Sequence, residues 1–67
     1  MEIILNGKNE KFEYNSLTIT ELLKEKNFTF PGIVINLNEQ FIKKDKYNTT
    51  TIVNGDKIDI IHMISGG

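Results

Sequence analysis

The chain has 67 residues, 39% of them hydrophobic and 25% charged, with a formal net charge of -1 at pH 7. That length supports one small domain, able to bury only about 60% of its unfolded surface, and the composition is that of a globular chain rather than a disordered one. The absence of cysteine excludes disulfides, thiolate metal sites, persulfide chemistry and cysteine nucleophiles together. Eight lysines face nine acidic residues and there is no arginine, so no basic face for nucleic acid is expected. Met1 leads straight into Glu2-Ile3-Ile4-Leu5 without the basic and apolar regions of a signal peptide. No apolar run approaches the ~20 residues of a membrane span, which leaves the cytoplasm as the expected location.

Taken in chain order, Glu2 to Asn6 is a short apolar strand, and Asn6-Gly7 is a two-residue hairpin signal. Glu10 to Tyr14 alternates polar with aromatic residues and predicts a half-buried second strand. Thr18-Ile19-Thr20-Glu21 fits a capping box, in which the Thr18 hydroxyl and the Glu21 carboxylate each satisfy a backbone N–H of the other. The helix it opens runs to about Asn27, with Ile19, Leu22 and Leu23 on one apolar stripe. Pro31-Gly32 resets the chain into a third strand, Ile33 to Leu37. Asn38-Glu39-Gln40 reads as a turn into a brief fourth strand at Phe41-Ile42. Lys43 to Thr51 is a polar crossover, with one helical turn near Asp45-Lys46-Tyr47. Asn54-Gly55-Asp56 is a second tight turn before the last strand, Lys57 to Ile64.

This order predicts an α+β domain over residues 1–64, with a mixed five-stranded sheet curled over one helix. The first and last strands are both strongly apolar and suit neighbouring central positions, and any parallel pair needs a right-handed crossover. That layout is the β-grasp, or ubiquitin-like, fold.

Ser65-Gly66-Gly67 follows as a flexible tail. Two consecutive final glycines arise by chance about once in two hundred chains at a Gly usage of roughly 7%. They add nothing to a small core, because glycine loses the most backbone entropy on ordering. They do supply a thin thread with a free carboxylate, able to enter a channel where any Cβ would clash. Such a tail is suited to activation by another enzyme.

The chain resembles the ThiS-like sulfur carriers of bacterial thiamine biosynthesis. The matching features are Asn6-Gly7, Thr20-Glu21-Leu22-Leu23, and Leu37-Asn38-Glu39 leading into Phe41-Ile42, followed by Asn54-Gly55-Asp56 and Gly66-Gly67. Family members often carry Pro-Arg after the fourth strand and Trp three residues on, where this chain has Lys43-Lys44 and Tyr47. The resemblance implies that an activating enzyme joins Gly67 to AMP at the expense of ATP. A sulfur-donor protein then supplies the sulfur that leaves a thiocarboxylate on Gly67, and a thiazole synthase receives it. The chain itself carries no phosphate-binding G-x-x-x-x-G-K-[ST] loop, so it is a protein co-substrate with no bound cofactor and not an enzyme. Related carriers serve molybdopterin or tRNA thiolation. A ubiquitin-like protein modifier and a β-grasp interaction module that is never activated stand as further alternatives.

The last strand also presents a surface. Ile58 and Ile60 alternate onto one face as core, while Ile61 and Met63 fall on the opposite face, as cover for a loop or as a docking patch beside the tail. His62, the one histidine, has no Ser, Cys or second His pattern around it and reads as structural or solvated. Asp56 and Asp59 read as turn chemistry and a solvent-facing strand position. Lys43 to Lys46 reads as a solvated loop that steers an acidic partner at most. No metal-ligand pattern is present.

Overall fold

The first hairpin takes its register from its turn. In the computed structural model, which describes residues 1–28 and 32–63, β1 (Glu2–Leu5) runs antiparallel to β2 (Lys8–Lys11). Asn6 and Gly7 both adopt positive φ, 51° and 82°, the conformation of a two-residue turn whose twist matches its strands. Leu5 therefore faces Lys8, and Glu2 faces Lys11. The second strand was expected at Glu10 to Tyr14 but lies earlier, because the two-residue turn at Asn6-Gly7 sets Lys8 against Leu5 and so fixes where the strand begins. Phe12 packs against the core just beyond β2, donating its N–H to the Met1 carbonyl at 2.8 Å.

The capping box forms in full. Thr18 closes β3 (Ser16–Thr18) and caps α1 (Ile19–Glu25). The Glu21 N–H donates to Thr18 Oγ1 at 3.1 Å, and the Thr18 N–H donates to Glu21 Oε1 at 2.8 Å. Ile19 and Leu22 are fully buried, while Leu23 packs at the margin of the core.

One hairpin, a crossover and two further strands follow. They are β4 (Ile33–Leu37), β5 (Gln40–Ile42), a 3₁₀ turn at Lys44–Lys46, β6 (Thr51–Val53) and β7 (Lys57–His62). The main sheet has the order β2-β1-β7-β4-β5, parallel between β1 and β7 and antiparallel elsewhere. This is the mixed five-stranded β-grasp, with the first and last strands side by side at its centre. A second sheet, β3 with β6, was not in the expected strand order; it pairs Leu17 with Ile52, both buried.

The core lies between the inner sheet face and the helix. Ile3, Leu5, Ile35, Ile58 and Ile60 come from the sheet, meeting Ile19, Leu22, Leu17, Ile52 and Tyr47. Tyr47 is thus a core residue, and burial raises its phenol pKa above the ordinary value. Its carbonyl accepts from the Thr20 N–H at 3.2 Å, fastening the polar crossover to the first turn of α1.

One turn is visibly strained. Asn38 and Glu39 link β4 to β5 with φ of 52° and 68°. Asparagine tolerates that region; glutamate does not, at a cost of roughly 1–2 kcal/mol for an L-residue in the left-handed conformation. Glu39→Gly is expected to relieve the strain and raise stability by about 0.5–1 kcal/mol, after the added chain entropy of glycine is subtracted. A rise of a few degrees in Tm is the readout, and no rise or a fall would show that the turn carries no strain.

Candidate functional site

The exposed face of β7 is where the sheet leaves apolar surface in solvent. Ile58 and Ile60 point inward, so Lys57, Asp59 and Ile61 point outward by strand alternation. Ile61 is 46% exposed and Met63, two residues on, is 60% exposed. The Met63 N–H donates to the Gly32 carbonyl at 2.8 Å, which carries the β4–β7 ladder one rung past the end of the strand. Both residues occupy the outer face expected of them.

Two further residues extend that face, and the sequence did not reveal them. Val34 lies directly across from Ile61, and Phe41 lies across from Asn36, on the row next to Val34. Phe41 is 62% exposed, more than either of the predicted pair. Together Phe41, Val34, Ile61 and Met63 run diagonally over three adjacent strands and end at Met63. Val34 hides in the wholly apolar start of β4, Ile33-Val34-Ile35, where alternation gives no clue to facing. Phe41 was placed in a strand, and its facing is fixed only by the register opposite Asn36.

Turn side chains hold the far end of β7. The Asn38 carboxamide accepts from the Lys57 N–H at 2.9 Å and donates to Asp56 Oδ1 at 3.1 Å. Asp56 Oδ2 in turn accepts from the Val53 N–H at 2.9 Å. Asp56 does turn chemistry, as expected, and Asp59 sits on the outer face across from Asn36. His62 faces the helix side, its ring edge-on to Phe28 at 5.6 Å and 82°. Lys43 to Lys46 are exposed. Among the described residues no group of three His, Cys, Asp or Glu side chains is placed to hold a metal ion. Nor, among them, is any helix long and apolar enough to cross a membrane. Ser65, Gly66 and Gly67, the proposed tail, lie outside the described residues, as do Ile64, the expected end of the last strand, and Pro31.

A model of the ThiS family matches residues 3–67. The chain belongs to the ThiS family. This places it with the sulfur carriers of thiamine biosynthesis: the sulfur carrier protein ThiS of Bacillus subtilis is 30% identical over 63 residues, covering 94% of this chain and 96% of its own length. The crystal structure of the thiamine biosynthesis protein ThiS from Geobacter metallireducens superposes with a TM-score of 0.90 at 26% identity, covering all of both chains. A thiazole synthase of Paramagnetospirillum magneticum is 28% identical over all 67 residues, although this chain spans only 20% of it. A segment like this ThiS-family chain is thus part of a protein that bears the name of a synthase.

Proposed function

We propose that this ThiS-family chain carries sulfur as a thiocarboxylate on Gly67 and delivers it to a thiazole synthase. The family match carries the proposal, because it runs through residue 67 and so takes in Gly66 and Gly67. A carboxylate is a poor electrophile: its charge repels nucleophiles and it offers no good leaving group. Attack of a Gly67 carboxylate oxygen on the α-phosphorus of ATP, with loss of pyrophosphate, makes the mixed anhydride with AMP. The outer sulfur of a donor protein's persulfide then attacks the Gly67 carbonyl carbon and expels AMP. A thiol reductant cleaves the S–S bond of the acyl disulfide so formed, releasing the thiocarboxylate and taking the donor's sulfur into a new disulfide. The resulting thiocarboxylate is a soft anionic nucleophile that gives up its sulfur during thiazole assembly. The ATP chemistry belongs to an activating enzyme, so the chain is a co-substrate with no cofactor of its own. The need for ATP points to the cytoplasm.

The outer face supplies the grip that a short tail lacks. Phe41, Val34, Ile61 and Met63 form one face that ends at Met63, four residues before Gly67 in the sequence, and a partner seated there receives the tail with little search. Methionine adapts its shape, which suits one surface that meets an activating enzyme and a synthase in turn.

The test is AMP transfer by the purified activating enzyme, read as ATP–pyrophosphate exchange. Ile61→Asp and Met63→Asp, each at an exposed position, are expected to raise KM for the carrier about tenfold or more, the loss typical of a central interface residue. Their unfolding midpoints should stay near that of the unsubstituted chain, since exposed substitutions usually fall within about 0.5 kcal/mol. Unchanged KM in both variants would remove this face from the docking surface.

A further inference from the structure

The parallel ladder between β1 and β7 is short. It contains two registered pairs, Ile4 with Lys57 and Leu5 with Ile58. Its N–H groups on the β1 side run from Ile4 to the Asp56 carbonyl at 2.9 Å and from Asn6 to the Ile58 carbonyl at 3.0 Å. There the backbone of β1 turns away at Asn6-Gly7. The next N–H of β7 on that side belongs to Ile60, and it donates to Asn6 Oδ1 at 2.7 Å. Since Ile60 is the donor, the atom facing it has to be the oxygen of the carboxamide. A side chain takes over where the strand has ended.

We infer that Asn6 is a positioning residue: its carboxamide extends the β1 side of β7 to Ile60, and so fixes the direction in which Ile61 and Met63 are presented to the activating enzyme. Ile61 follows the tethered residue immediately, and Met63 follows two positions later. The inference rests on the carrier function proposed above. Asn6 also serves the turn, where its positive φ favours Asn, Asp or Gly. Those two roles separate by substitution. Asn6→Gly keeps the turn and removes the acceptor, whereas Asn6→Asp keeps both.

Two readouts on the same purified chains decide it. In Asn6→Gly the Ile60 amide should exchange with solvent about five- to tenfold faster, the factor given by one net hydrogen bond, while the Ile35 amide at the centre of β4 keeps its rate. KM for the carrier in AMP transfer should rise by a similar factor with kcat unchanged, and Asn6→Asp should restore both values. Equal acceleration at Ile60 and Ile35 would make Asn6 a general stability residue and overturn the inference. So would faster exchange at Ile60 with an unchanged KM. If the unsubstituted chain accepts no AMP at all, the carrier function fails and the positioning role with it. Faster exchange confined to Ile60 would in that case still uphold the tether.

Discussion

Removal of Gly67 is expected to abolish AMP transfer to the chain while leaving its urea unfolding midpoint unchanged. A terminal glycine has no side chain to pack, so its loss should cost the fold almost nothing. Its loss should cost the chemistry everything, because the carboxylate that attacks ATP would then sit one residue short of the activating enzyme's phosphorus. Gly66→Val separates reach from shape. It keeps the length and the carboxylate but adds a branched side chain to the thread, and it too should block transfer with a normal fold. A truncated chain that still accepts AMP would show that Gly67 is not the activated residue.

The second large effect is on stability and should leave chemistry untouched until the chain unfolds. Leu22→Ala removes a fully buried side chain at the centre of the helix–sheet contact. The expected loss is about 2–5 kcal/mol, the range for a large-to-small change in a packed core. A chain of this length holds only about 3–10 kcal/mol at the usual 0.05–0.15 kcal/mol per residue. Much of the population should therefore unfold at 37 °C. Leu23→Ala, one position along and only partly buried, should cost less. Urea titration at 25 °C checks both, with unchanged m-values showing that the same folded state is being measured. If Leu23→Ala proved the costlier, the helix would face the sheet by a different stripe.

The contrast between Leu22 and Leu23 shows where sequence patterning stops. Their apolar spacing with Ile19 located the helix stripe, but only the contacts ranked one leucine above the other. The capping box at Thr18 and Glu21 was legible because both its hydrogen bonds span three residues. The Asn6-Gly7 turn was legible for the same reason, and the outward facing of Ile61 and Met63 followed from alternation alone. The second strand was displaced because Phe12 and Tyr14 carry an alternation signal that Lys8–Lys11, with no apolar residue, lacks. Its position is dictated by the turn, not by its own residues. Strands β3 and β6 were missed for a related cause: each has three residues, too few for a periodic pattern, and each is defined by a partner far along the chain. Tyr47 belongs to the core although it stands in a polar run, since the 3₁₀ turn before it swings one aromatic ring inward. Phe41 and Val34 joined the candidate face only through register across three strands. Tertiary pairing, which no short window contains, supplied each of these.

Intact mass tests the central claim most directly. The chain would be isolated from its native cells, and in parallel incubated with the activating enzyme, ATP and a sulfur donor, beside a copy lacking Gly67. The expected result is a species heavier by the exchange of one oxygen for sulfur, with the change mapped to Gly67 by fragmentation and missing from the truncated copy. An unmodified mass in both preparations, with the activating enzyme shown to be competent on another carrier, would contradict thiocarboxylate transport by this chain.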